Sequence, residues 1–416
     1  MGRARIGTET TELLERLSLL GADEQGGVTR LLYDRAWQEG QRFVAEAMAE
    51  AGLDVRLDSV GNVYGRLAGT GDSSKCVLTG SHIDTVRNGG KYDGALGVAA
   101  GIVALSRLAE RYGRPRRTLE VVSFCEEEGS RFPLAYWGSG NVTAGRRFDG
   151  ALAAADPDGI TLASAMAAAG FDPGAVRESA RDDIEAFVEL HIEQGEVLER
   201  AGRAIGIVDA IFGQRRYTVE VEGRSGHAGT TPMAMRSDAL ASAAEMIAWL
   251  RRAASAVGGG GLVATVGRLE VSPNVPNVIP GKARFTLDIR HRDEGALSVF
   301  CESIESRFRE IAGETGTGIS FECWLAEPPV RMDDGLGKQI AAVCDRSGWS
   351  WTTVGSGAGH DAGLFAATCR TAMIFVPSRE GVSHSPEEYT SPEELERGVD
   401  VLTELLYQLA YGEGAS

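Results

Sequence analysis

The chain contains six histidines, His82, His191, His227, His291, His360 and His384, and three of them stand where an apolar run gives way to a loop. His82 follows Cys76-Val77-Leu78-Thr79 within Gly80-Ser81-His82-Ile83-Asp84, and His191 closes Phe187-Val188-Glu189-Leu190-His191. His384 lies in Gly381-Val382-Ser383-His384-Ser385-Pro386, beyond Met373–Pro377. Acidic groups fall at similar places: Asp93 in Lys91-Tyr92-Asp93-Gly94, and Glu126-Glu127-Glu128 after Leu119–Phe124. Carboxylates converging on one edge repel one another unless cations neutralise them. Two divalent ions would do so, and a dinuclear hydrolytic site takes about five protein ligands, one a carboxylate bridging ions ~3.5–4 Å apart. His82, Asp93, Glu128, His191 and His384 supply that number with suitable imidazole and carboxylate donors. Asp84, two residues past His82, is placed to accept the imidazole's other N–H and fix its tautomer.

The elements that must position these groups can be read from periodicity. Leu13, Leu14, Leu17 and Leu20 recur at helical spacing, and Trp37 to Ala51 reads as a second helix stopped by Gly52. Strands are predicted at Asn62–Leu67, Cys76–Thr79, Thr118–Cys125, Ala186–Ile192 and Thr371–Pro377, with a helix from Gly94 to Arg111 after the second. Strands alternating with helices imply an α/β sheet, whose ligands gather at the carboxyl ends of its strands. The texture then changes. Arg216–Glu222 alternates like a strand with one wet face. An Ala-rich helix over about 234–254 comes next, closed by Gly258-Gly259-Gly260-Gly261. Strands at Leu262–Glu270 and Lys282–Arg290, a helix near Ala296–Ile311 and a strand near Gly318–Trp324 complete a βαββαβ order. Residues 213–329 are therefore expected to form a small α+β domain inserted into a larger α/β domain made of 1–212 and 330–416.

With 416 residues, 42 basic and 59 acidic, the chain is long enough for two domains and carries a formal net charge of −17. Hydrophobic residues at 43% and charged residues at 24% exclude a largely disordered chain. The acidic balance argues against nucleic acid and anionic membranes as partners, both of which reward clustered Lys and Arg. The N-terminal Met1-Gly2-Arg3-Ala4-Arg5 leads into Thr8–Glu12 rather than an apolar signal core, and no apolar run approaches the ~20 residues of a membrane span. Six scattered cysteines without a C-x-x-C pair suit a reducing compartment, so a cytoplasmic protein is expected.

The motifs together resemble the M20 metallohydrolase superfamily: Gly-Ser-His-Ile-Asp-Thr-Val at 80–86, Asn-Gly-Gly-Lys-Tyr-Asp-Gly at 88–94, Glu-Glu-Glu-Gly-Ser-Arg-Phe at 126–132, His-Ile-Glu-Gln-Gly at 191–195 and Ser-His-Ser-Pro-Glu-Glu at 383–388. More narrowly they are similar to its amidohydrolase branch of N-carbamoyl-L-amino acid hydrolases, allantoate amidohydrolases and β-ureidopropionases, which carries His at position 191 where peptidase branches carry Asp or Glu. The resemblance implies a zinc-aminopeptidase-like catalytic domain with an inserted lid and dimerisation domain. It implies one metal on His82, His191 and bridging Asp93, and the other on Glu128, His384 and the same Asp93. Zn²⁺ or Mn²⁺ would serve, as would Co²⁺ or Ni²⁺. Glu127 matches the general base, Gln194 a ureido contact, and His227 a lid histidine that polarises the scissile carbonyl, reaching the partner's site in a homodimer. Asn277 and Arg290 match grips on the substrate carboxylate. The implied reaction is hydrolysis of a ureido C–N bond, releasing ammonia and carbon dioxide. His360, in Gly357-Ala358-Gly359-His360-Asp361, is a weaker candidate for a supporting or substrate-loop role, Glu126 is expected to be a solvated or supporting carboxylate, and His291 an ordinary surface residue. A dipeptidase or aminoacylase of the same superfamily is the nearest rival reading, opposed by His191, Gln194, Asn277 and Arg290. A dinucleotide enzyme lacks its G-x-G-x-x-G.

Overall fold

The computed structural model describes residues 9–71, 74–144, 150–257 and 261–412. Met1–Arg5 and the glycines 258–260 fall outside them. The chain divides into two compact units. The first takes the described residues up to Asp209, Met332–Val354, and those from Gly359 onward; the second takes Ala210–Arg331 and Gly355–Ala358.

In the first unit, strands run in the order Asp54–Leu57, Val63–Leu67, Thr118–Phe124, Cys76–His82, Ile184–Ile192, Arg370–Val376, Ile205–Ile211. The central four are parallel. Because parallel strands are covered on both faces, every residue of Cys76–His82 and Thr118–Phe124 is buried, the polar Thr79, Ser81, Glu120 and Ser123 among them. Helix Ala95–Tyr112 buries almost its whole apolar run against this sheet and against helix Pro392–Ala410. The latter starts with a capping box between Ser391 and Glu394. Among the described residues, no helix is long and apolar enough to cross a membrane.

The second unit pairs Lys282–His291 with Gly213–Glu222 along their full length, and Gly213–Glu222 with Gly318–Glu327, all antiparallel. Helices Ala239–Ala256 and Glu294–Thr315 supply Met246, Leu250, Phe300, Ile304 and Phe308 to a separate core against Val219, Val221, Phe285 and Leu287. The strand expected over Leu262–Glu270 is two strands, Leu262–Thr265 and Leu269–Ser272, both paired with Lys282–His291. Thr265 faces Asp288 while Leu269 faces Phe285, so four steps on one strand match three on the other. An extra residue at Val266-Gly267-Arg268 breaks the ladder as a bulge does.

Candidate metal centre

The parallel strands deliver their histidines to one edge of the first unit's sheet. His82 ends Cys76–His82, and its imidazole lies where a Cβ on Gly94 would sit 2.4 Å from Nε2, so that only glycine fits there, at φ +62°. His82 Nδ1 lies 3.0 Å from the backbone oxygen of Asp84, which can only accept, so Nδ1 carries a proton and Nε2 is directed to Asp93 Oδ1 at 3.7 Å. His191 Nδ1 likewise lies 2.9 Å from the Ile192 carbonyl oxygen, and its Nε2 stands 3.2 Å from Asp93 Oδ1. Asp93 Oδ2 faces the other direction, 3.3 Å from His384 Nε2, which is also 3.3 Å from Glu128 Oε1.

Two groups of donors result, His82/Asp93/His191 and Asp93/Glu128/His384, each with ligand atoms within 4.8 Å of one another. Asp93 belongs to both and presents a different oxygen to each. Nitrogen and oxygen donors in this mixture fit divalent cations of the Zn²⁺ or Mn²⁺ kind. The electrostatics agree. Burial works against a charged Asp93, yet hydrogen bonds from His191 and His384 hold its carboxyl well below the usual range. Burial pushes the His191 imidazole down, but Asp93 and Glu189 together raise it to about 9, and bonds to Asp93 and Glu128 raise His384 to about 10. A potential that draws protons onto imidazoles draws cations as well. Glu127 is buried, with Oε2 3.8 Å from His82 Nε2; burial first, then the charges of Glu128, Asp361 and Asp84, push its carboxyl well up.

Some positions differ from the sequence expectation. Asp84 does fix His82's tautomer, but through its main-chain oxygen; its carboxylate stands 3.6 Å from Nδ1. Instead Asp84 Oδ2 accepts the N–H groups of Glu127 (3.0 Å) and Glu128 (3.1 Å), pinning the loop that carries both. Glu126 is not solvated: it is fully buried, its Oε1 accepts a long 3.4 Å bond from the Arg131 N–H, and burial pushes its carboxyl up. Gln194 Nε2 donates to Asp93 Oδ2 at 2.7 Å, and among the described residues its buried Oε1 has no hydrogen-bond partner. Glu126, Gln194 and His384 all adopt positive φ (52°, 56° and 55°). For non-glycine residues this costs on the order of 1 kcal/mol each, strain that folds retain where function fixes geometry.

His360 is buried with its ring edge-on to His191, centroids 4.7 Å apart. Glu189, His191 and His360 form a third group of possible donors. A neutral imidazole has one lone pair, so a nitrogen of His191 committed to Asp93's side cannot also serve this group. The loop after His360 is tied down by Ser139 Oγ on Asp361 Oδ1 (2.5 Å) and by the Ala362 N–H on Glu189 Oε2 (2.9 Å). Sequence reasoning missed Ser383, Asp361 and Glu189, because their partners are remote in the chain.

His227, Asn277 and Arg290 belong to the second unit, not to the cluster around Asp93. The two-residue strand Gly226–His227 pairs with Val278–Ile279, and the Ala228 N–H donates to the Asn277 main-chain oxygen at 3.0 Å, which puts exposed His227 and exposed Asn277 on adjoining stretches of backbone. Arg290 grips Asp288 in a fork, Nε on Oδ1 at 2.8 Å and Nη2 on Oδ2 at 2.9 Å, while Nη1 reaches the Gly357 oxygen at 2.6 Å. Arg216, which sequence reasoning also missed, donates to the same Asp288 at 2.9 Å. These three line a groove of about 520 Å³ with Val263, Thr265 and Trp324.

An α/β sheet with imidazoles and carboxylates gathered at its strand ends can hold divalent cations, and the chain's curated relatives, alike over nearly its whole length, place it among the hydrolases acting on amides. It is 47% identical over 401 residues to the allantoate amidohydrolase of Bacillus subtilis (strain 168), covering 96% of this chain and 97% of that protein. It is 39% identical over 409 residues to the N-carbamoyl-L-amino acid amidohydrolase of Geobacillus stearothermophilus, covering 98% and 99%. The crystal structure of an amidase of the hydantoinase/carbamoylase family from Burkholderia multivorans superposes with a TM-score of 0.90 at 33% identity, covering 96% of this chain and 98% of that one. The chain belongs to peptidase family M20/M25/M40, whose family model matches residues 78–408.

Proposed function

We propose that this protein hydrolyses the C–N bond of a ureido group on a small carboxylate-bearing molecule, an N-carbamoyl amino acid or allantoate, releasing ammonia and carbon dioxide. The observation that carries the reading is Asp93, whose two oxygens serve separate donor groups as a bridging ligand's would. His82 and His191 would hold one divalent ion with Asp93, and Glu128 and His384 the other. Bound there, such ions supply Lewis acidity, lowering the pKa of a water between them and polarising the ureido carbonyl. Glu127, buried with Oε2 3.8 Å from His82 Nε2, is the general base: its carboxylate accepts the water's proton and passes it to the departing nitrogen. The orphaned Gln194 Oε1 offers an acceptor to a ureido N–H. His227 donates to the developing oxyanion, and Asn277 and Arg290 hold the carboxylate, Arg290 by the planar fork that suits such groups. In this reading the second unit is a lid and dimerisation domain, His227 serves the partner subunit's centre in a homodimer, and closure excludes water. The relatives' names favour allantoate and N-carbamoyl amino acids as first substrates to try. The cysteines among the described residues are all free, in keeping with a cytoplasmic setting.

The test is a panel on metal-reconstituted protein: ammonia release from allantoate, N-carbamoyl-α-amino acids and N-carbamoyl-β-alanine, against amine release from dipeptides and N-acyl amino acids. Turnover confined to the second group would replace this reading with a dipeptidase or aminoacylase.

A further inference from the structure

One buried carboxylate beside the cluster has no part in the proposed reaction. Glu388 closes the run Ser383-His384-Ser385-Pro386-Glu387-Glu388 and is 4% exposed. Its Oε1 accepts two main-chain N–H groups, from Tyr92 at 2.8 Å and Asp93 at 3.1 Å. Its Oε2 lies 3.0 Å from Ser383 Oγ, which is itself 2.9 Å from Asp93 Oδ2. Asp93 is thus held by Glu388 directly at its own N–H, and Ser383, with one hydroxyl proton to donate, stands between Glu388 Oε2 and Asp93 Oδ2. The loop before Asp93 is shaped to admit this carboxylate, since a Cβ on Gly90 would stand 2.1 Å from Glu388 Oε1.

The geometry points to Glu388 as a positioning residue: we propose that it sets the rotation of Asp93, one oxygen toward His82 and His191 and the other toward His384, on which occupancy of both metal positions depends. The proposal rests on the dinuclear reading of the site. A carboxylate free to turn about its χ angles could chelate a single ion; held at its N–H by Glu388 and at Oδ2 by Ser383 and Gln194, Asp93 is biased towards bridging. Residues that orient metal ligands in this way are worth roughly 10–100-fold in metal affinity or activity. The ion on Glu128 and His384 is the one that depends on Asp93 Oδ2, the oxygen Ser383 touches, so that ion should be the more sensitive.

The experiment compares wild type, Glu388→Ala and Glu388→Gln by Zn²⁺ titration calorimetry, by metal stoichiometry after equilibrium dialysis, and by the visible spectrum of the Co²⁺-loaded protein. Glu388→Ala is expected to keep one ion with near wild-type affinity and bind the second about 10–100-fold more weakly, with kcat falling in step and KM almost unchanged. Glu388→Gln is expected to restore the second ion: its carbonyl oxygen still accepts both N–H groups, its amide donates to Ser383, and the Ser383 proton remains for Asp93. A simple loop staple would instead lower the melting temperature and leave the two affinities as they were. Two ions bound to Glu388→Ala with wild-type affinity overturns the proposal. Should Glu388→Ala fail to fold, Ser383→Ala carries the test, with weakening of the second ion expected and unchanged affinity overturning it. Failure of the dinuclear reading looks different: the wild type itself would bind fewer than two ions.

Discussion

The candidate metal-binding cluster of the first unit and the groove of the second are built on opposite plans. Around Asp93, the candidate ligands other than half-exposed His384 are buried or nearly so, sit at strand ends or in the adjoining loops, and are braced by groups distant in sequence: Asp84 holds the Glu127–Glu128 loop, and Gly94 leaves room for His82. In the second unit, His227 and Asn277 are exposed on short segments, and Arg290 and Arg216 turn inward onto Asp288. Rigidity is invested where several charges must be held against their mutual repulsion; the other region keeps its polar groups satisfied by local partners that a ligand can displace. The sharpest way to break this contrast is to remove the ions. Chelation is expected to abolish turnover, and restoring Zn²⁺ or Mn²⁺ to recover it. Each ion present at a hundredfold excess over its Kd stabilises the unit that binds it by about 2.7 kcal/mol. Because each unit has its own core, calorimetry should show the first unit's unfolding moving with metal while the second unit's does not. A metal-dependent shift of the second unit alone would reverse the comparison.

Next in size is Glu127→Gln. The amide keeps the shape but cannot take a proton, so kcat should fall by roughly 10²–10⁴ while ion content stays at the wild-type level. Unchanged turnover would remove Glu127 from its role. His227→Ala tests whether the exposed region contributes to chemistry at all: loss of one oxyanion donor costs about 10²–10³ in kcat. Mixing His227→Ala with Glu127→Gln subunits should recover activity, since a mixed dimer contains one centre with both groups intact. Absence of recovery, with mixed dimers shown to form, would mean that His227 acts on its own subunit or on none. A smaller effect is expected of Arg290→Lys, where a point charge replaces a planar fork; KM should rise about tenfold with kcat little altered.

The same contrast governs how much the sequence could reveal. The places of His82 and His191, candidate ligands, were legible because each follows a largely apolar strand whose end stands at the sheet's carboxyl edge. In the second unit the long strands and both long helices were legible from alternation and helical spacing; the two-residue strands Gly226–His227 and Val278–Ile279 were not, nor was the bulge at Val266-Gly267-Arg268, which periodicity does not register because both flanking pieces alternate normally. The features that stayed hidden depend on main-chain geometry or on distant pairs. Asp84 looked like a partner for His82, yet its carboxylate accepts two N–H groups, and N–H groups have no sequence signature. Arg216 looked like an ordinary residue of an alternating strand; its meeting with Asp288 is set by the cross-strand register, in which the two are directly opposite.

The last and smallest prediction concerns that Asp288. Burial alone would raise its carboxyl, but Arg290, and after it Arg216, hold it below the usual range. A depressed pKa means that folding favours the charged form. Its stabilisation is therefore complete above the ordinary carboxylate pKa of about 4 and is lost as pH falls through Asp288's own lower value. Asp288→Asn should cost the second unit no more than about 1 kcal/mol near neutrality, because the pair is partly exposed and screened by solvent. The gap between variant and wild type in urea unfolding should close in acid. A gap that persists there would assign the stabilisation to hydrogen bonds the asparagine cannot reproduce. The two arginines would then be braced by geometry more than by charge, and the groove would be less open to an incoming carboxylate than its half-exposed lining suggests.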